Sequence, residues 1–556
     1  MTEEVDIEQG SILRRKFTLT DAALFGIGGA VGSGILFAAA FGTSYAGPAV
    51  IISWIIAAVM IVIVTIPYAE FSSMAPRGGI SARISYYSYG KYGGFISGWA
   101  LFLWAVMIPP IEAVAVSEYA AYYIPELYKN NALTPYGIGL SILITVIFVF
   151  INLAGISRVG KFNTGITWLK IASVVALLII VPLIIFHPSN FTAPSFIPKS
   201  GWSGIFIAIP ATGILFSFGG YRQVADMAGE IKNAKRNLPI AIGLTLAVQS
   251  IFYIAMSVVI VGAVNWKALG VSPGNWGKVS SLSSPLADLM KGNLSVLTGD
   301  PAVMISGLIL LALLFAIFSP LGTFGVYLTA SSRIVFGFSR EGALPKEIGK
   351  TDKRGVPIYT IIIVAVIGDL FLIPLPSWES LVNFVVVAAV VNFAIVAASL
   401  PVIRKLHPQI ERPFKVPFSK IWSLIAFVIA SILVYWATYP TTLYALGATL
   451  LGSVVFLYQA YKSNWQGLNL KNSIWIPVYV IGLLILSYIG GKSTGGIGIL
   501  KFPIDDIVVI VYGIIFWVIS QVMAPKDPVG NLQKLIDKAP KEEQEATLKS
   551  NLTDLD

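Results

Sequence analysis

Apolar runs, each about long enough to cross a hydrocarbon core about 30 Å thick, alternate with short polar stretches along nearly the whole chain. They predict helical spans near 21–43, 47–71, 94–124, 136–154, 163–186, 203–227, 238–264, 303–332, 357–374, 379–401, 420–438, 441–460, 474–490 and 504–523. The expected fold class is therefore an all-α polytopic membrane protein of fourteen spans, with both termini on one side. The first 20 residues carry Glu3, Glu4, Asp6 and Glu8 and do not read as a signal peptide.

One span breaks the pattern. Gly26-Ile27-Gly28-Gly29-Ala30-Val31-Gly32-Ser33-Gly34-Ile35 places five glycines in ten residues, each costing a helix about 1 kcal/mol relative to alanine. Gly28 and Gly32 form a G-x-x-x-G pair suited to close helix packing. The other reading is a helix that opens at mid-membrane, where the freed backbone groups need a polar ligand or a water-lined cavity. A second weak point, Leu215-Phe216-Ser217-Phe218-Gly219-Gly220-Tyr221, lies five spans later and favours the broken helix. Spans 1–5 and 6–10 then read as two inverted copies of one unit, since an odd number of spans obliges the second to enter from the other face. Paired interruptions of this kind point to the binding site of a secondary transporter. Half-helix N-termini offer N–H groups to a carboxylate, and half-helix C-termini offer carbonyls to an ammonium. A zwitterionic amino acid fits both.

The net charge of +10 is an orientation signal rather than a nucleic-acid footprint. Loops on one side hold most of the lysines and arginines, among them Arg158, Lys161, Lys232, Lys235, Arg236, Arg404, Arg412 and Lys415. The opposite loops hold only Lys129, Lys199, Lys267, Lys278, Lys291, Lys492 and Lys501. The positive-inside rule makes the first side, with both termini, cytoplasmic. There is no cysteine, and His187 and His407 both fall in predicted loops, so no metal site, cofactor or thiol chemistry is expected. No nucleophile paired with a base is visible, which argues against an enzyme. Sequons begin at Asn190 and Asn293 on predicted outer loops.

Several motifs resemble those of the amino acid–polyamine–organocation permeases. They are Gly32-Ser33-Gly34-Ile35; Ala228-Gly229-Glu230 through Arg236-Asn237-Leu238-Pro239; Ser332-Arg333 through Gly342-Ala343-Leu344-Pro345; and Lys405-Leu406-His407-Pro408 through Arg412-Pro413-Phe414-Lys415-Val416-Pro417. The resemblance covers about residues 15–460. It implies a LeuT-like 5+5 inverted repeat, residues 21–186 and 203–404, with broken helices 1 and 6. Four further helices follow, at 420–460 and 474–523, between cytoplasmic tails 1–20 and 524–556. It also implies amino acid transport across the cell membrane, by proton symport or by sodium-independent exchange, with a polyamine or organocation carrier as the remoter alternative.

On that resemblance, Ala30, Gly32, Ser33 and Gly34 bind the substrate's charged ends. Phe216 closes over it, and Ser217, Phe218 and Gly219 supply unwound backbone, ordinary packing being the competing account of either phenylalanine. Lys170 lies about 13 Å deeper than Lys161 at helical rise. Such a lysine either marks an ion pathway or snorkels to the interface. The run Lys161-Phe162-Asn163 to Lys170 resembles proton-coupled members, in which a lysine takes the place of a sodium ion, and Thr323 matches a hydroxyl beside it. Burial disfavours the charged ammonium, which suits a group that gives up and regains a proton.

Arg222 stands where many members carry an acidic residue, and Gly220-Tyr221-Arg222-Gln223 resembles members tied to acidic amino acids. Its guanidinium either forks onto a substrate carboxylate or pairs with Glu112, Glu118 or Asp226. Glu112 follows Pro109-Pro110 and is a functional candidate or a structural partner, whereas Glu118 is expected to be solvated near the outer face. Glu230 reads as part of a cytoplasmic gate or as a loop brace with the nearby basic residues, and Asn383 and Asn392 as interhelical hydrogen-bonding groups. Ser284–Met290 reads as a short amphipathic helix over the outer vestibule. Leu532, Leu535 and Ile536 would give the tail one apolar face. Expected partners are an amino acid, protons and lipid, and the sequence leaves the oligomeric state open.

Overall fold

The computed structural model describes residues 17–75, 80–153, 156–192, 194–226, 231–294, 300–340, 346–351, 357–462, 470–530 and 532–533. In chain order its helices are α1 (Leu19–Ala30), α2 (Gly34–Ala46), α3 (Val50–Met74), α4 (Ile80–Ala120), α5 (Pro135–Leu153), α6 (Ile156–Ile184), α7 (Gly201–Ala211), α8 (Ile214–Ser217) and α9 (Gly220–Asp226). There follow α10 (Ala234–Ala263), α11 (Pro285–Leu294), α12 (Asp300–Arg340), α13 (Ile358–Leu370), α14 (Trp378–Leu406), α15 (Ser419–Trp436), α16 (Thr441–Lys462), α17 (Trp475–Ile489) and α18 (Ile504–Val522). Each predicted span coincides with a helix or with a broken run of helices. By length and apolarity, nine helical segments among the described residues can cross a membrane unaided, or ten if the bent α7–α8 run counts as one.

α4 and α14 form the centre. The apolar stretch of each is buried on every side, as expected of a helix that is hydrophobic all round. α5, α16 and α18 lie outside them and expose Phe150, Leu451 and Val522, an apolar surface that lipid, not water, can cover. Polar side chains inside the bundle find partners across helices. Asn392 of α14 accepts from Tyr68 of α3 at 2.5 Å and donates to Ser97 Oγ of α4 at 2.6 Å, joining three helices. Asn383 contributes only a long bond to Thr438, at 3.4 Å.

Both predicted weak points are breaks, but the second is displaced. α1 ends at Ala30 and α2 starts at Gly34. In the sixth span the chain bends by 45° between α7 and α8, at Gly213, whose φ of +85° is left-handed and suits glycine. The more conspicuous Gly219–Gly220 pair marks only a short non-helical step between α8 and α9. Gly220 instead serves packing, for a side chain there would strike the Gly26 carbonyl of α1.

The sequon asparagines are structural. Asn190 donates to Val261 O at 2.9 Å and Val264 O at 2.8 Å and accepts from Trp266 Nε1 at 2.9 Å. Asn293 donates to Ala263 O and Leu289 O, both at 2.9 Å. Both are buried and offer no acceptor for a glycan. Asn190→Ala strands buried carbonyls and an indole N–H, each unmet group costing about 1–3 kcal/mol. A fall in thermal stability of the detergent-solubilised protein is expected and checks this.

Helix α11 forms where Ser284–Met290 predicted one, with Pro285, Leu286, Ala287, Leu289 and Met290 buried. Burial pushes the Asp288 carboxyl above its ordinary value, against the Ser284 N–H and Lys291. In the tail Leu532 is buried. Leu535, Ile536 and Glu230 lie outside the described residues.

Candidate functional site

A helix interrupted inside an apolar bundle must place its freed N–H and C=O groups somewhere. At the first break they go to side chains from four helices. Gly28 O accepts from Lys170 Nζ of α6 at 3.3 Å. Ala30 O accepts from the Tyr253 hydroxyl of α10 at 3.0 Å, and Val31 O from Ser319 Oγ of α12 at 2.8 Å. Ser33 N donates to Glu112 Oε2 of α4 at 3.2 Å. Ser33 Oγ accepts from Trp378 Nε1 of α14 at 2.7 Å. The freed groups of the first break are thus met by the protein's own polar side chains.

The second break lies against the first. A methyl group at Gly34 would come within 2.5 Å of Ser217 Oγ, so the two breaks meet at Gly34 and Ser217. Tyr253 also reaches Ser217 O at 2.8 Å. A phenol has one proton, so the carbonyls of the two breaks share it. Ser217 Oγ donates to Gly213 O at 2.9 Å. Phe216 lies 5.6 Å from Trp104 and edge-on to Trp378 at 6.1 Å. Phe218 packs on Trp54 and Tyr253, the packing account of that ring. Ser33, Ser217 and Phe218 are buried, while Gly29 and Ala30 keep partial exposure.

Lys170 does not snorkel. It is 1% exposed, and its Nζ also donates to Thr323 Oγ1 at 3.1 Å. A methyl group at Gly32 would lie 2.9 Å from Glu112 Oε1 and 3.2 Å from Thr323 Oγ1. Lys170, Thr323 and Glu112 therefore surround Gly32, without ion-pair contact between lysine and glutamate. The lysine caps the C-terminal, electronegative end of α1, and the glutamate the N-terminal, electropositive end of α2.

Arg222 makes no ion pair with Glu112 or Glu118, so those expected pairings do not form. Its guanidinium carbon lies 5.0 Å from the Trp104 ring centre and 5.2 Å from that of Phe393. With Trp104, Leu215, Gly219 and Phe393 it lines a cavity of about 10 Å³, far smaller than an amino acid. Glu118 is not solvated. It is 1% exposed, and its Oε1 accepts from the Trp378 backbone N–H at 2.8 Å. Trp378, Tyr253 and Ser319 escaped the sequence reading, because an aromatic or hydroxyl in an apolar helix looks like any membrane-interface residue.

Two broken helices meeting inside a membrane bundle, their freed backbone held by a buried lysine and a buried glutamate, describe a solute carrier rather than an enzyme. Residues 17–461 match the model of a family described as amino acid permease, and the chain belongs to that family. It is 29% identical over 520 residues to the glutamate/serine transporter AimA of Bacillus subtilis, covering 91% of this chain and 93% of that protein. It is 30% identical over 521 residues to the aspartate-proton symporter of the same organism, covering 92% and 97%. A methylthioribose transporter of Bacillus subtilis is 29% identical over 433 residues, or 74% and 86%.

Proposed function

We propose that this chain is a proton-coupled symporter of acidic amino acids, working by alternating access in the cell membrane with both termini in the cytoplasm. Residues 21–186 and 203–404 act as two inverted five-helix repeats, and the breaks in α1–α2 and α7–α9 cradle the substrate. The observation that carries the reading is the occupancy of the first break. A carboxylate, Glu112, holds the Ser33 N–H, and an ammonium, Lys170, holds the Gly28 carbonyl. The protein's own side chains thus stand at helix ends that suit the two charges of a zwitterion.

Competition at Ser33 supplies the coupling. An ionised Glu112 accepts a charge-assisted bond, stronger than that of a neutral acid. A proton on Glu112 loosens its hold and frees the N–H for the substrate's α-carboxylate. Proton and substrate therefore favour each other's binding, and by linkage the effect is reciprocal. Lys170 exchanges its proton on the other side of Gly32, and Thr323 orients its ammonium. Ala30, Gly32, Ser33 and Gly34 bind the backbone of the substrate, with Ser217 and Gly219 opposite and Phe216 over it. Arg222 forks onto the side-chain carboxylate, in keeping with relatives named for aspartate and for glutamate and serine.

The test is uptake of labelled aspartate into proteoliposomes under an inward proton gradient, challenged with glutamate, serine, leucine and arginine. Uptake that glutamate inhibits and that survives without sodium is expected. Indifference to both acidic amino acids ends the acidic assignment. Strict sodium dependence, or exchange that ignores the gradient, ends the symport reading.

A further inference from the structure

We propose that Trp378 is the outer gate of the site and that Glu118 is the positioning residue that sets it. The inference rests on the assignment of the two breaks as the substrate site but not on which amino acid binds there. Trp378 is the first residue of α14, after the N-cap Ser377, so its N–H is one of the donors that a helix start leaves without an intrahelical partner. Glu118 of α4 takes that donor, while its own Oε2 is buried without a hydrogen-bond partner among the described residues. A buried carboxylate satisfied at one oxygen is costly. It fixes where α14 begins.

From that anchored start the indole reaches both breaks at once. Its Nε1 holds Ser33 Oγ at 2.7 Å. Its ring stacks on Phe37 at 5.1 Å, lies 5.8 Å from Phe41, and meets Phe216 edge-on. Its Cη2 would sit 2.5 Å from a methyl group at Gly213, so the bend of the second break is shaped to the indole. Trp378 itself is fully buried. While it stays in place, the Ser33 hydroxyl and the face of Phe216 are closed to a solute. Substrate entry requires the start of α14 to swing out, which breaks the Ser33 bond and draws on the Glu118 bond.

The absence of native cysteine makes this measurable. Ala40→Cys places one thiol on α2, one helical turn beyond Phe37, at a buried position. Its labelling from outside whole cells by a membrane-impermeant maleimide, without substrate, reports gate opening and is independent of substrate identity. Trp378→Phe keeps a ring and removes the indole N–H. It is expected to speed labelling about three- to tenfold, the factor carried by one hydrogen bond. Glu118→Ala is expected to do the same, and Glu118→Gln, which keeps an acceptor, to return the rate to within about twofold of the parent. Labelling at the parent rate in monodisperse Trp378→Phe overturns the gate. Equal acceleration by Glu118→Ala and Glu118→Gln overturns the positioning role. Accelerated labelling in a protein that ignores aspartate leaves the gate standing and removes only the substrate assignment.

Discussion

Lys170→Met is expected to cut accumulation of labelled aspartate driven by a proton gradient by about 5- to 150-fold while leaving counterflow exchange in place. Methionine matches the length and apolar stem of lysine but cannot carry a charge, so the packing of α6 against α1 and α12 is kept. What disappears is the ammonium that holds Gly28 O and Thr323 Oγ1 and faces Glu112 around Gly32. On the proposed mechanism the C-terminal end of α1 then exchanges no proton, and Glu112 is left as the one titrating group the mechanism assigns to the break. Coupling energies of 1–3 kcal/mol correspond to about 5- to 150-fold, and gradient-driven accumulation should fall by a factor in that range. Apparent substrate affinity should rise on acidification in the parent and less steeply in the variant, where only Glu112 of the two proposed coupling groups can take a proton. Accumulation by Lys170→Met at the parent level, inside alkaline, would remove Lys170 from the mechanism.

Hydropathy located the helices because lipid demands long apolar runs, and glycine content located the first break because a helix so depleted of side chains is weak. The same signals misled at the second break. Gly219 and Gly220 look like the weak point, yet Gly220 makes room for α1, and the left-handed turn sits at the unobtrusive Gly213. Both readings of the first glycine run hold side by side. Gly29 admits the Gln223 side chain and Gly26 the Thr245 side chain, while Gly32 and Gly34 lie at the break and its edge. Lys170 was legible because a lone charge in a span needs a reason. Its partners were not, since Glu112 meets Ser33 across 79 residues of chain and Trp378 meets it across 345. Such pairings are set by how the bundle packs, and no local pattern carries them. Glu118 shows the same limit, for its place in the span resembles a solvated end and only the start of α14 buries it.

Loss of Glu70 should be the most destabilising single change. Near the C-terminal end of α3 it is fully buried. It accepts from Arg404 Nε at 2.9 Å and Nη2 at 2.5 Å, and from the Val416 N–H at 2.9 Å. Arg412 Nε stands 3.5 Å from its other oxygen. One carboxylate therefore ties α3 to the end of α14 and to the loop that follows. Arg412 also donates to the carbonyls of Ile410 at 2.6 Å and His407 at 2.9 Å. Burial, with Glu70 opposing it and Arg404 adding to it, pushes Arg412 below its ordinary value. Burial and the Arg412 charge likewise lower His407, which stays neutral at pH 7 and adds no third cation. Glu70→Ala leaves two close guanidiniums facing each other with no anion between them. Breaking a buried pair this way costs about 3–5 kcal/mol. Glu70→Met with Arg404→Met leaves Arg412 charged but removes the repulsion between the two guanidiniums, and should recover part of that loss. Thermal unfolding of the purified variants in detergent checks both statements. A single Glu70→Ala variant as stable as the parent would show that the latch holds nothing. Equal loss in the single and double variants would place its value in packing rather than in charge.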